Sequence, residues 1–354
     1  MSLSRLNQTL HRIVHWSVSD TTPENEPTRV LADERDLYEV STWEPRTTLD
    51  HVALRAEGLL REYWTLVVFL LLFALVALSV LVTVVVLFFV PGIVRYALVS
   101  ILAALVITVY IWYAFASPQL PLEPLVVTFG LGIVGTVVAG IWNTTFQPLS
   151  LVPVVGTILF MFCIVAPGEE VAKLLAVRLY AYTDDRLFTR VVDGAVYGAV
   201  AGLAFASYEN LGYILQEALS TLRYAPYVDL SFVLGDVAVQ RALSAPGHVI
   251  YSAFAGFYLG LARFNREHAA AIVLKGLLVV VVVHATFNVF VVDAVPRMFG
   301  LGDFGASLLT IVYDGALGYV LYRKLATYRE AYRAATQRGA APPPTPDRDA
   351  GRPT

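Results

Sequence analysis

Charged residues are scarce in this sequence: they make up 15% of its 354 residues, whereas hydrophobic residues make up 57%. Soluble domains average about 25% charged residues, so an ordinary soluble enzyme is excluded. The formal net charge is only −3, which gives no reason to expect a nucleic-acid partner. The composition therefore predicts a polytopic membrane protein, with the lipid bilayer as its surroundings.

Cysteine is almost absent, since Cys163 is the only one. An intramolecular disulfide is thus excluded, and because Cys163 lies in an apolar run we predict a small buried thiol. The sequence also lacks a His-Glu-x-x-His element, the usual signature of a zinc protease. No long apolar run precedes Trp64, so we expect the first span to be an anchor and not a cleavable signal.

Long apolar runs are abundant. A helix needs about 20 apolar residues to cross a bilayer, and eight runs meet this requirement. The predicted fold class is an all-α polytopic membrane protein of about eight transmembrane helices, with a four-helix catalytic core. The spans are predicted at 64–90, 96–116, 125–142, 149–180, 191–215, 242–261, 269–292 and 306–321.

The spans divide the chain into three regions. Residues 1–62 are predicted to be a partly disordered cytoplasmic tail, and 63–325 the membrane domain, with its catalytic core at about 149–292. Residues 326–354 are predicted to be a cytoplasmic, Pro-rich, disordered tail.

The distribution of basic residues predicts the orientation, because cytoplasmic loops collect Lys and Arg. With eight spans, most of the basic residues that flank them fall on one side. These are Arg55, Arg61, Arg186, Arg190, Arg263, Arg266, Arg323, Lys324 and Arg329. We therefore predict a multi-pass protein of the cell membrane with both termini in the cytoplasm.

Four consecutive spans carry polar side chains that a lipid-facing helix would not keep. They are Glu169, Glu170 and Lys173 on the fourth, Asp193, Glu209 and Asn210 on the fifth, His248 on the sixth, and His284 and Asn288 on the seventh. Counted at 1.5 Å per residue, Glu169, Glu209, His248 and His284 lie roughly 18 to 28 Å from the cytoplasmic ends of their spans. They are therefore expected to share one layer.

The faces of the helices agree with these depths. Small residues recur every four positions on the fifth span, at Gly194, Gly198 and Gly202, and the sixth span repeats the pattern after His248. Such stripes let two helix backbones approach closely. Glu209 and His248 are therefore expected to point into a tight bundle.

Pro-Gly pairs precede two of the polar clusters, Pro167-Gly168 before Glu169 and Pro246-Gly247 before His248. Proline removes a backbone donor, so we predict a broken helix at each pair, lining a wet cavity. Asp314, in the last span, is expected to be solvated or a cap, and Trp142 to be an interface anchor.

Other functions are compatible with the same residues. Lys173 lies three and four residues after Glu170 and Glu169, a spacing that also allows a purely structural ion pair. Buried Glu, Lys and His side chains also form proton relays, so a proton-coupled transporter or channel is an alternative. The charged spans do not form two similar halves, however, which many transporters do.

Taken together and in order, the motifs resemble the PrsW family of intramembrane proteases over about residues 120–325. The family is grouped with CAAX prenyl proteases and bacteriocin-processing enzymes. The motifs are Glu169-Glu170-Val171-Ala172-Lys173, Asp193 to Gly198, Phe205 to Asn210, Gly247-His248, Gly256 to Gly260, and His284 to Asn288. At residue 288 this sequence has Asn where some members have Asp.

The resemblance implies an activity and a set of essential residues. It implies cleavage of an integral membrane protein, in bacterial members an anti-sigma factor, which starts a signalling cascade. Glu169, Glu170 and His284 match positions regarded as essential, and Glu209 and His248 match further motif positions.

Peptide hydrolysis needs an activated water and a polarised carbonyl. We expect Glu169 to take the proton from water, Glu170 to position Glu169 or the water, and Lys173 to balance the charge. In a metal version, His248, His284 and Glu209 bind zinc and leave a position for water. In a metal-free version, His248, His284 and Asn288 hold the water and the oxyanion. The sequence leaves both versions open and slightly favours the metal.

Overall fold

The computed structural model describes residues 45–52, a number of positions between 55 and 88, and then 92–116, 120–153 and 155–337. All regular structure in these residues is helical, which confirms the predicted all-α membrane class. The two predicted tails and the first predicted span lie largely outside the described residues.

The chain divides into two units, residues 1–81 and 82–354. In the first unit, the Asp50 carboxylate accepts the N–H of Thr47 at 2.6 Å, and the Thr47 hydroxyl accepts the N–H of Asp50 at 3.2 Å. This reciprocal capping is typical of the start of a helix.

The second unit contains the helices that position the site. They are α1 Ile93–Phe115, α2 Leu122–Phe146, α3 Gly156–Phe160, α4 Ala166–Arg178, α5 Val191–Tyr224, α6 Leu230–Arg263, α7 Ala269–Thr286, α8 Val295–Phe299 and α9 Asp303–Gln337. Two π-helical segments, Met161–Val165 and Phe287–Ala294, join α3 to α4 and α7 to α8.

Carboxylates lie at the start of the two helices that pack most closely, α5 and α6. Asp193 accepts the backbone N–H of Thr189 at 3.0 Å and that of Arg190 at 2.8 Å at the start of α5. Asp229 accepts from Ser231 N–H at 2.9 Å at the start of α6, and its bonds to Ser231 hold the pKa of the Asp229 carboxyl below its usual range. Asp193 is thus a helix cap and lies apart from the polar cluster.

Five helical segments among the described residues are long and apolar enough to cross a membrane. They are Ile93–Phe115, Leu122–Leu151, Val191–Tyr224, Arg266–Phe299 and Asp303–Ala334. The predicted count of eight is not confirmed. The first predicted span is described only in part, and the fourth and sixth, which contain α4 and α6, carry polar residues of the site and are not among these five segments. Helix α9 continues to Gln337, so the disordered tail predicted from residue 326 is wrong at its start.

Helices α5 and α6 pack backbone against backbone, as the stripes of small residues predict. A Cβ atom added to Gly194, Gly198 or Gly202 would lie 2.1, 2.2 or 2.3 Å from a carbonyl oxygen of α6, those of Gly256, Ser252 and His248 respectively. No side chain fits at such a distance. The seam fixes the relative height of Glu209 and His248.

A Gly198→Ala substitution is expected to destabilise the protein, because its methyl group would collide with the Ser252 carbonyl oxygen. Overpacking of this kind costs about 1–3 kcal/mol. Thermal unfolding of the purified protein in detergent measures the effect. Gly212→Ala on the same helix is the matched control, since no atom lies within 4 Å of its added Cβ. An unchanged melting temperature for Gly198→Ala would contradict the tight seam.

The predicted helix breaks at the two Pro-Gly pairs are wrong. Pro246 lies inside the continuous helix α6, and Pro167 is the second residue of α4, which follows the π-helical segment without a gap. The irregularity near Pro167 is the π-helical segment before it. Single lost hydrogen bonds do not interrupt helices that are packed on their neighbours.

Two single-residue predictions are also wrong. Cys163 lies in the π-helical segment and its side chain is exposed, not buried. Asp314 is neither solvated nor a cap, because only 4% of its surface is exposed and its Oδ1 accepts a hydrogen bond from the Tyr251 hydroxyl at 2.7 Å. Both positions depend on the rotation of a helix about its axis, which spacing alone did not fix.

Candidate active site

Side chains from four helices meet in the interior. Glu169, Glu170 and Lys173 come from α4, Glu209 from α5, His248 from α6 and His284 from α7. Glu170 and Lys173 are 0% and 1% exposed, and both histidines are buried. The two imidazole rings lie edge to face with centroids 5.6 Å apart. Residues up to 115 positions apart in sequence thus form one cluster.

Glu170 is held by two charge-assisted contacts. Its Oε1 lies 2.8 Å from Lys173 Nζ and 2.8 Å from His284 Nδ1. Because a carboxylate only accepts, Nδ1 of His284 carries the proton, and Nε2 of the neutral ring keeps its lone pair. Glu170 therefore orients His284 so that Nε2 faces the site.

A second chain of contacts holds His248. Lys173 Nζ lies 3.0 Å from His248 Nδ1, and His248 Nε2 lies 3.0 Å from Glu209 Oε2. An ammonium only donates, so His248 accepts at Nδ1 and donates from Nε2. Arg241 Nη2 donates to the same Glu209 oxygen at 3.0 Å. The Phe205 ring lies beneath this chain, stacked on His248 and 4.3 Å from Lys173 Nζ.

Glu169 is held differently from its neighbour. Its Oε1 accepts a hydrogen bond from Asn143 Nδ2 at 3.0 Å, but its buried Oε2 has no hydrogen-bond partner among the described residues. This Oε2 lies 3.8 Å from His284 Nε2 and 3.9 Å from Lys173 Nζ. Glu170 Oε2 is also buried without a partner. Only Glu169 places its free oxygen opposite the lone pair of a histidine.

The structure brings most of the predicted site residues together, with two exceptions. Glu209, predicted as a zinc ligand, lies behind His248 and pairs with Arg241. Asn288 lies in the π-helical segment, so it is not one regular α-turn from His284, and its Nδ2 faces the Met161 sulfur at 3.9 Å. The π geometry turns Asn288 away from the position that an α-helix would give it.

Sequence reasoning missed Asn143 and Arg241. Arg241 precedes His248 by seven residues, two helical turns, so the shared face was a usable signal. Asn143 carried no such signal, because the register of α2 against α4 cannot be read from either helix. Its neighbour Trp142 was predicted as an interface anchor. Trp142 also donates from Nε1 to the Ile164 carbonyl at 3.2 Å, at the π-helical segment.

Three side chains are arranged in a way that suits a metal ion. Glu169, His248 and His284 each offer one ligand atom, and these atoms lie within 4.8 Å of one another. The 3.8 Å between Glu169 Oε2 and His284 Nε2 is close to the ~3.4 Å that separates two ligands of a tetrahedral zinc. The donors therefore fit, although His248 would first have to give up its contact with Lys173 or with Glu209.

The arrangement also suits activation of water. A water between Glu169 Oε2 and His284 Nε2 would face a free acceptor on each side, inside a protein interior that excludes bulk solvent. General-base hydrolysis needs a carboxylate that accepts a proton from the water and a nearby cation, and Glu169 and Lys173 are placed for these roles.

Part of the chain matches a known family of proteases. Residues 120–316 match the model of a family described as PrsW family intramembrane metalloprotease. The chain is 33% identical over 97 residues to Protease PrsW of Geobacillus kaustophilus, which covers 27% of this chain and 36% of the relative. It is 28% identical over 121 residues to Protease PrsW of Halalkalibacterium halodurans, covering 34% of this chain and 48% of the relative.

Protease PrsW of Clostridioides difficile is 25% identical over 130 residues, or 36% of this chain and 49% of the relative. The chain thus spans about a third to a half of the length of these curated relatives. No solved structure matches it significantly.

Proposed function

The chain belongs to the PrsW family of intramembrane metalloproteases, and on this basis we propose that it cleaves a membrane-anchored protein by hydrolysis of a peptide bond within the bilayer. One observation carries the proposal. Glu169 has a buried, unpartnered oxygen opposite the lone pair of His284. An ionisable side chain without a partner is costly inside a membrane protein, so its presence indicates a functional site.

In the proposed reaction Glu169 acts as the general base. Its Oε2 accepts a proton from the attacking water, while Asn143 holds Oε1 in place. Glu170 fixes the orientation of His284, and Lys173 offsets the negative charge of Glu170 at 2.8 Å. The proton then passes to the leaving amine as the peptide bond breaks.

In the metal version of this proposal, Glu169, His248 and His284 hold the ion, and Glu169 is then a ligand instead of the general base; zinc is the best match to two imidazoles and a carboxylate. Such an ion would supply a Lewis acid that polarises water and the scissile carbonyl. Glu209 and Glu170 then have the positions of outer carboxylates that orient the two histidines.

The substrate, in this proposal, is an integral membrane protein, and an anti-sigma factor or similar regulator is what the family resemblance implies. The kinship with CAAX prenyl proteases remains a prediction. We propose that both termini are cytoplasmic. The contact of Arg263 with Asp185 supports a common face for the loop between α4 and α5 and the loop after α6. The comparisons do not favour the alternative of a proton-coupled transporter.

A comparison of membrane proteomes tests the proposal and does not require a known substrate. Membranes from cells that lack the gene, and from the same cells re-expressing wild type or Glu169→Gln, are labelled at free N termini and analysed by mass spectrometry. New N termini within or beside predicted spans of membrane proteins are expected only with wild type. Glu267→Gln, an exposed substitution between α6 and α7, is the control that should restore the wild-type pattern. Identical patterns for wild type and Glu169→Gln at equal protein levels would refute the protease.

A further inference from the structure

A pocket lies between α1, α6 and α9, apart from the cluster of acids and histidines. Its volume is about 400 Å³, within the ~300–1,000 Å³ of typical small-molecule sites. Its walls are almost entirely apolar, with Ile107, Ile111, Pro246 and Ile250 among them. The one ionisable carboxyl group in the wall is that of Asp314.

Asp314 is the feature that a groove for ordinary lipid chains would not need. It lies about 16 Å along α9 from Asp303, by the helical rise, and is 4% exposed. Its Oδ1 accepts from the Tyr251 hydroxyl, whereas its Oδ2 has no hydrogen-bond partner among the described residues. An acidic group inside a membrane span with an unused acceptor is a functional-site candidate.

We propose that this pocket binds an apolar molecule dissolved in the membrane that carries one hydroxyl group, and that the hydroxyl donates to Asp314. The apolar body matches the walls, and the donor matches the unused acceptor. Acyl chains would fill the volume but offer no donor. A cationic donor would have to lose its hydration at this depth, which favours a neutral hydroxyl.

The pocket is linked to the catalytic cluster by one side chain. The Tyr251 hydroxyl bonds to Asp314, and the Tyr251 ring lies with its centroid 5.6 Å from that of His284. Gly247 makes this possible, since a Cβ there would lie 2.9 Å from the Tyr251 oxygen. A bound molecule therefore contacts Asp314, whose hydrogen-bond partner Tyr251 packs on His284, although binding itself does not depend on protease activity.

Three ten-carbon probes test the proposal on the purified full-length chain in detergent: 1-decanol, methyl decyl ether and decane. The alcohol donates a hydrogen bond, the ether only accepts one, and decane does neither. At saturation, 1-decanol is expected to raise the melting temperature by about 2–4 °C. The other two are expected to leave it unchanged. Equal shifts for all three probes, or no shift for 1-decanol, would overturn the proposal.

Two variants locate the effect in the pocket. Asp314→Asn keeps an acceptor for Tyr251 but turns the free position into an N–H donor, so the ether should now raise the melting temperature and the preference for the alcohol should be lost. Gly315→Leu fills the pocket, and its side chain starts in open space with no atom within 4 Å of Cβ. This variant should fold and lose the 1-decanol shift. A shift that survives in both variants would place binding elsewhere and contradict the proposal.

Discussion

Replacement of Glu169 by Gln is expected to lower the rate of substrate cleavage about 10²- to 10⁴-fold, the usual contribution of a general base. Gln keeps the size of Glu and an oxygen for the hydrogen bond from Asn143. It cannot accept a proton opposite His284 Nε2. Because the Glu169 contacts with Lys173 and His284 are long, at 3.9 and 3.8 Å, the loss of charge should change stability little. The rate is measured with a tagged single-span protein that the N-terminal labelling experiment has identified as a substrate.

The neighbouring Glu170→Gln variant separates an effect on catalysis from an effect on stability. Glu170 Oε1 carries both the Lys173 and the His284 contacts, and Gln would leave the buried Lys173 without its close anionic partner, with only the 3.9 Å contact to Glu169. Breaking such a pair costs about 3–5 kcal/mol, so Glu170→Gln should lower the melting temperature as well as activity. Glu267→Gln, exposed in the loop, should change neither. Normal cleavage by Glu169→Gln would exclude Glu169 as the base, and equal destabilisation by both variants would exclude the division of roles.

Removal of bound metal is expected to abolish cleavage, and purified wild type is expected to hold about one zinc ion per chain. His284→Ala should lose both the metal and the activity, because it removes the only ring nitrogen of the cluster with a free lone pair. Elemental analysis and a proteolysis assay after treatment with a chelator measure the two effects, and added zinc should restore activity.

His268→Ala is the matched control for this experiment. His268 is exposed in the short connection between α6 and α7, on the same stretch of chain that leads to His284. The variant should retain full metal content and activity. If wild type cleaves its substrate at full rate after complete metal removal, the metal version is wrong, while general-base hydrolysis by Glu169 remains.

The common level and inward direction of the cluster could be predicted from the sequence because both depend on constants of the helix. The rise per residue placed Glu169, His248 and His284 in one layer, and the glycine stripe set the face of α5. Helices of this regularity allow such arithmetic over 20 residues or more.

The remaining features depend on helix rotation and on the register between helices. The π-helical segment after α7 moves Asn288, and nothing in its apolar sequence marks the change. Asn143 meets Glu169 only because α2 and α4 align at that height. Glu209 was predicted to join the two histidines at a metal, but it forms an ion pair with Arg241, and Glu169 takes that place. Proline at 246 was overestimated as a helix breaker because α6 is supported along its length by α5.

The glycine seam between α5 and α6 restricts where the proposed substrate enters. The glycines of α5 lie directly against backbone carbonyl groups of α6, so no side chain lies between the two helices that could change its rotamer. The two helices are therefore expected to move as one rigid unit. The seam is therefore closed as an entrance for the proposed substrate, whereas α4 and α7 meet through side chains, those of Glu170 and His284.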